Sequence, residues 1–167
     1  MIFVTVGTHE QQFDRIVKCI DELKKKGIVN EQVVIQTGFS NYEPQFCEWK
    51  KLFSYQEMVQ YVQNARVVIT HGGPSSFIMP LQIGKIPVVV PRQKNYGEHV
   101  NNHQVDFCKA VSEREKNIIL VEDISELGEI INNYDTIVNE MSTEIVSNNE
   151  KFNDAFSKII DNLMLKK

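Results

Sequence analysis

Val67 to Gln104 constrains the fold of this 167-residue chain more than any other stretch. Val67, Val68 and Ile69 form a short apolar run that stops at Thr70-His71-Gly72-Gly73, and apolar residues resume at Phe77, Ile78, Leu81 and Ile83 with helical spacing. A buried strand therefore feeds a tight turn that opens a helix. Pro74 suits the first helical turn, where its missing N–H removes no hydrogen bond, and Ser75 and Ser76 set hydroxyls beside free backbone donors. A helix N-terminus reached through such a turn attracts phosphate, so the segment has the layout of a nucleotide-phosphate site.

The same alternation runs along most of the chain. Ile2 to Val6 is a β-rich run stopped by Gly7, after which Phe13, Ile16, Val17, Ile20 and Leu23 recur at three- and four-residue steps until Gly27. Val33 to Thr37 is a second strand ending at Gly38, and Phe53 to Val59 reads as a short helix capped by Ser54. Strands follow at Val67 to Thr70 and Ile86 to Val90, with a weaker one at Ile118 to Val121, while Pro44 to Trp49 reads as a loop. Strands alternating with helices predict an α/β fold, a mainly parallel sheet with helices on both faces. Ile124 to Tyr134 and Thr136 to Leu165 read as helices, giving a helical C-terminus in which Phe152, Phe156, Ile159 and Leu163 form a narrow apolar stripe. The stripe either packs on the chain's own sheet or docks onto another protein. The whole of 1–167 reads as one domain.

Composition narrows the function. With 42% apolar and 24% charged residues the chain is neither disordered nor a coiled coil, and a net charge of −4 gives no support to nucleic acid as a partner. Lys24, Lys25 and Lys26 close a helix, where cations suit the dipole. Cys19, Cys47 and Cys108 are odd in number and widely spaced, which fits a reducing cytoplasm. No signal peptide or membrane span is expected, so work at a membrane requires another protein to hold the chain there.

In an open parallel sheet ligands bind at the carboxyl ends of the strands. Gly7-Thr8-His9-Glu10, Thr37-Gly38, His71-Gly72-Gly73-Pro74-Ser75 and Pro91-Arg92-Gln93 should therefore meet along one edge.

The order and spacing of these loops resemble the C-terminal, nucleotide-sugar-binding half of the GT-B glycosyltransferases of family 28. The residues that carry the likeness are His71-Gly72-Gly73, the step Gly84-Lys85-Ile86-Pro87 into a strand, Pro91, and Glu98-His99 with Asn101-Asn102-His103-Gln104. The opening Phe3 to Thr8 with Gln12 to Arg15 looks like the start of small catalytic subunits of two-part transferases. One kind serves dolichol-linked N-acetylglucosamine transfer, and bacterial kinds serve capsule and exopolysaccharide synthesis. The loop Pro91 to His99 is most similar to bacterial β-1,4-galactosyltransferase subunits.

The resemblance implies a single Rossmann-like GT-B half acting as the donor-binding subunit of an inverting hexosyltransferase. Its substrate would be UDP-galactose first and UDP-N-acetylglucosamine second. The acceptor half would be a separate membrane-associated subunit carrying a polyprenyl-diphosphate-linked sugar, which would hold the chain at the cytoplasmic face of the membrane. The helices from about 124 to 167 are then one candidate docking element.

No acidic pair suggests a metal, so no cofactor is expected, and backbone donors would meet the charge on the leaving diphosphate. Donor-binding residues implied by the match are Gly7, Thr8, Thr37, Gly38, His71, Gly72, Gly73, Pro74, Ser75, Ser76, Arg92, Gln93, Glu98, His99, Asn102 and Gln104. Among these, Glu98, His99, Asn102 and Gln104 would read sugar hydroxyls, and uracil would lie near Thr37-Gly38 and the turn from Ser54 to Met58. His9 and Glu10, on the first loop, are the candidate catalytic bases, with a base from the partner as the alternative. Where the family often has a ribose-gripping glutamate this chain has Met79, and Gln82 stands one turn away. A non-catalytic nucleotide-sugar-binding subunit is the competing function. A sugar-nucleotide epimerase shares the architecture, but its chains carry both domains.

Overall fold

The structure, a computed structural model, describes residues 1–142. In chain order the elements are β1 (Ile2–Thr5), α1 (Asp14–Lys25), β2 (Val33–Gln36), β3 (Glu48–Lys50), α2 (Tyr55–Asn64), β4 (Val67–His71), α3 (Pro74–Gln82), β5 (Val88–Val90), α4 (His103–Glu115), β6 (Ile119–Leu120), α5 (Leu127–Asn132) and α6 (Tyr134–Ser142). Single 3-10 turns sit at Lys94–Tyr96 and Ile124–Glu126. All strand pairs are parallel, in the order β3-β2-β1-β4-β5-β6. The chain winds outward from β1 to β3, then restarts on the other side of β1 with β4 and winds out to β6.

Alternate strand residues feed two apolar layers, as the two-residue period of a strand requires. Ile2, Val4, Val33, Ile35, Val67, Ile69, Val88 and Val90 pack on one face with Ile16, Val17 and Ile20 of α1 and Leu127 and Ile131 of α5. On the other face, Phe3, Val34 and Val68 meet Val62 of α2, while Val89 meets Phe77 of α3 and Cys108 of α4. Burying one such side chain stabilises by about 1.5–3 kcal/mol, so both layers are needed to fix the central strands. Buried on both faces, these strands are apolar along their whole length, which is why β1, β2 and β4 were readable as continuous runs.

Three parts of the sequence reading change. The loop expected at Pro44 to Trp49 ends in a strand: β3 pairs with β2 as an edge, with Trp49 half-buried between exposed Glu48 and Lys50. The residues after Asn102, to which the sequence reading assigned no element, open a full helix, α4. The helix expected over Ile124 to Tyr134 is a 3-10 turn followed by α5, which stops at Asn133 before α6. The stripe at Phe152, Phe156, Ile159 and Leu163 lies outside the described residues. Among the described residues, no helix is long and apolar enough to cross a membrane.

Candidate functional site

β1 and β4 are neighbours in the sheet, yet their chains leave toward opposite faces, β1 into α1 and β4 into α3. Their carboxyl ends therefore open a crevice, the place where ligands settle in doubly wound sheets of this strand order. One wall is the loop Gly7 to Gln12. The other is the turn His71 to Ser76, and the segment Pro91 to Asn102 flanks both.

His71 organises the second wall. The ring is buried, its Nδ1 accepts the Gly73 N–H at 3.0 Å, and its Nε2 lies 2.8 Å from Ser76 Oγ. Burial, with the positive charge of Arg92 added, holds its pKa down at about 4. The ring fills the space that side chains on its neighbours would need. A Cβ on Gly7 would stand 2.3 Å from Nε2, and one on Gly73 would stand 2.2 Å from Cε1. Gly7 also has φ +74°, a backbone shape that L side chains rarely adopt. Gly72 backs onto Cys108 and Gln104 of α4. At the start of α3, Pro74 has no N–H and the Ser76 amide donates to the Gly73 carbonyl, which leaves the exposed Ser75 amide as the first outward donor.

Beneath the crevice lies a buried polar strap. The Arg92 side chain is fully enclosed and donates from Nη1 to the carbonyls of Gln11, Gln12 and Glu98, and from Nη2 to that of Val6. Its ring neighbour is Phe13, 4.8 Å from the guanidinium carbon. Arg92 thus ties the loop after β1 to the loop after β5. Glu98 is equally enclosed and meets Arg15 in a bidentate pair, Nε to Oε1 and Nη2 to Oε2 both at 2.9 Å, while Oε2 also accepts the Gln93 amide. Arg15 adds a bond to the Pro91 carbonyl.

The structure therefore directs several sequence-predicted contacts inward. Glu98 has both oxygens engaged and faces Arg15, not open space, and Arg92 faces loop carbonyls. Gln104 sits on α4 and accepts the Arg92 amide, Asn102 accepts the Lys94 amide, and the Gln93 side chain donates to the Glu122 carbonyl. These residues shape the walls.

What faces outward is a smaller set. Thr8, His9 and Glu10 are exposed, and the His9 ring stands 5.2 Å from the half-buried His99 ring. His9 Nδ1 accepts the Gln11 amide and His99 Nδ1 the Asn101 amide. The pKa of His9 is lowered first by partial desolvation on this otherwise exposed loop, then by the charge of Arg92 and by His99, with Glu10 pulling the other way.

On the β2 side, Thr37 is buried and its amide donates to the Lys50 carbonyl, while Gly38 abuts the Gly7 carbonyl. Gln36 links this flank to the crevice: Nε2 donates to Thr5 Oγ1, which also accepts the Gly7 amide, and Oε1 accepts the Phe53 amide ahead of the Ser54 cap. Met79 packs with Phe3, Val34 and Val62 under α2, whereas Gln82 is exposed.

Arg15, Gln36 and Thr5 were not among the site residues read from the sequence, although Thr5 and Arg15 lie in its opening motif. For Arg15 the signal was present: a cation at the start of α1, flanked by the buried Phe13 and Ile16. A hollow of about 430 Å³ between β6, α4 and α6, lined by Ser112, Ile118, Leu120, Ile137 and Met141 among others, contains none of the predicted site residues.

A switch-point crevice with a helix N-terminus on one wall defines a doubly wound, Rossmann-like α/β domain, and the comparisons give its family. The glycosyltransferase family 28 C-terminal domain matches residues 1–163, and the chain belongs to that family. It is 30% identical over 117 residues to the human UDP-N-acetylglucosamine transferase subunit ALG13, an alignment covering 65% of this chain and 10% of that protein. The fold is similar to the crystal structure of the glycotransferase of kitacinnamycin, with a TM-score of 0.54 and 14% identity, over 85% of this chain and 37% of the other. The chain thus spans about a tenth of the curated relative and just over a third of the solved one.

Proposed function

We propose that the chain is the donor-binding half of an inverting UDP-sugar glycosyltransferase. The observation that carries this reading is the crevice between β1 and β4, where the start of α3, Ser76 and the His9–His99 pair converge over the buried charge of Arg92. Donors of this kind suit a diphosphate, whose charge grows as it leaves. In this reading the diphosphate lies against the Ser75 amide, Ser76 and the His9–His99 pair, uracil lies toward Gly38 and the Ser54 cap, and the sugar lies beyond His99. Glu98 and Arg92 hold the loops without touching it. The transfer needs no metal. An acceptor hydroxyl attacks the anomeric carbon, UDP departs, and the hydroxyl proton passes to His9, to Glu10 or to a base on a completing subunit.

The human relative is named as a subunit, which supports a separate acceptor-binding chain. We place that chain at the cytoplasmic membrane face, with a lipid-linked sugar as its cargo, in capsule or exopolysaccharide synthesis. The loop likeness favours galactose as the donor sugar, and the relative's name points to N-acetylglucosamine.

Calorimetric titration with UDP, uridine, UDP-galactose and UDP-N-acetylglucosamine tests the reading and names the donor. UDP should bind at least about tenfold more tightly than uridine, because charge-assisted contacts to the diphosphate each contribute on that order. A folded chain, with its acceptor subunit added, that binds UDP no better than uridine sinks the proposal. Turnover in the presence of that subunit separates the transferase from a binding-only subunit.

A further inference from the structure

His9, His71 and His99 share one local geometry. In each, Nδ1 accepts the backbone N–H of the residue two positions on: Gln11 at 3.1 Å, Gly73 at 3.0 Å and Asn101 at 3.4 Å. An amide nitrogen has a hydrogen to give and no lone pair to offer, so Nδ1 is bare in all three rings, and the one hydrogen of each neutral imidazole sits on Nε2. We infer that the three crevice histidines are locked as Nε2–H donors, forming a wall that takes ligand oxygens with lone pairs and no hydrogen, as in a diphosphate, and that none of them is the base of the transfer.

His71 reaches the crevice through Ser76. With its hydrogen on Nε2, the ring donates to Ser76 Oγ across 2.8 Å, the Gln104 side chain is a further hydrogen-bond partner of the ring, and the serine hydrogen is turned away from it. The separation is that of a Ser–His nucleophile pair, but the polarity is reversed. The ring has no free lone pair for the serine proton, so Ser76 is a binding donor and His71 a positioning residue. The fit is built into the sequence: a side chain on Gly7 or Gly73 would collide with this ring, so the two glycines leave it room to lie against Ser76.

His9 and His99 present their Nε2–H groups directly, with ring centres 5.2 Å apart. To act as a base, His9 would have to give up the Gln11 amide first. Glu10, exposed on the same loop, is then the base this chain offers. It would take the hydroxyl proton as the new glycosidic bond forms and the sugar–phosphate bond breaks.

The inference deepens the donor-site reading and rests on it, so the test separates the two. Two-bond ¹H–¹⁵N spectra of the histidine-labelled chain at mildly alkaline pH, where imidazole is neutral, report the tautomer directly. His9, His71 and His99 should all be Nε2–H, before and after UDP is added. An Nδ1–H form in any of the three overturns the inference.

Calorimetry supplies the second arm. His9→Gln and His99→Gln keep an N–H at the Nε2 position and should bind UDP nearly as well as the parent chain. His9→Leu and His99→Leu should each weaken UDP by about tenfold, the effect of losing one hydrogen bond to a charged group. Leucine variants that bind UDP as tightly as the glutamine variants overturn the inference while leaving the donor reading intact. Absence of UDP binding in the folded parent chain with its acceptor subunit added overturns the donor reading, and the assignment of this wall to a diphosphate falls with it.

Discussion

His71 titrates far below a free imidazole because protonating it would place a charge inside the protein, next to Arg92. The sign of the consequence follows from linkage. Between the ordinary value of 6.5 and the folded value of about 4, the unfolded chain holds a proton that the folded chain does not. The stability that His71 contributes is therefore complete above the unfolded pKa and is lost as pH falls toward the folded one, roughly 3 kcal/mol in all. Urea unfolding of the parent chain and of His71→Gln, each at neutral pH and at about pH 5, checks this: the parent should lose about 2 kcal/mol more than the variant over that interval. Equal losses would mean that His71 titrates normally. The same residue explains Gly7 and Gly73, whose missing side chains the sequence shows as turn signals. Their second purpose, making room for a ring, needs three dimensions.

Among the helices, α2 is the one whose start is most fully written in local sequence. Ser54 Oγ accepts the Glu57 amide, and the Glu57 carboxylate accepts the Ser54 amide, a reciprocal capping box. Ser54→Ala should destabilise by about 1 kcal/mol, read as a lower urea midpoint at unchanged slope. It should also loosen the Phe53 amide from Gln36, on the flank assigned to uracil. Such caps, and strands that are apolar along their length, made β1, β2, β4 and α2 legible without coordinates. β3 was not legible because Glu48-Trp49-Lys50 at an edge needs only one inward side chain and so carries no apolar run. α4 was hidden for a related reason. It opens with His103 and Gln104, and Gln104 is buried as a hydrogen-bond partner of the Arg92 amide, not as an apolar contact. The crevice loops were legible as glycine-bearing strand ends. Which of their polar side chains turn inward was not, because that depends on pairings such as Arg15 with Glu98, 83 positions apart.

At the scale of the whole molecule, that pairing decides what kind of residue Glu98 is. Arg92 ties the loop after β1 to the loop after β5, the Arg15–Glu98 pair ties the start of α1 to that second loop, and β4 lies between β1 and β5 in the sheet. The strap therefore spans the turn that carries His71 and fixes the distance between the His9 and His99 loops. Glu98→Gln keeps the shape and can still accept the Gln93 amide, but it leaves the nearly buried Arg15 without a countercharge. Breaking one side of such a pair should destabilise by about 3–5 kcal/mol, seen as a large fall in melting temperature. UDP and UDP-sugar should then weaken together, because the loops that carry His9 and His99 lose their spacing. A sugar-reading Glu98 makes the opposite forecast: an unchanged melting temperature, unchanged UDP affinity and a selective loss for the UDP-sugar. Arg15→Met with Glu98→Leu adds a further check, since replacing both charges together with apolar groups should recover much of the stability lost by Glu98→Gln alone. Recovery of stability together with UDP affinity would show that the pair acts by holding the two loops in register, a task that packing can also perform.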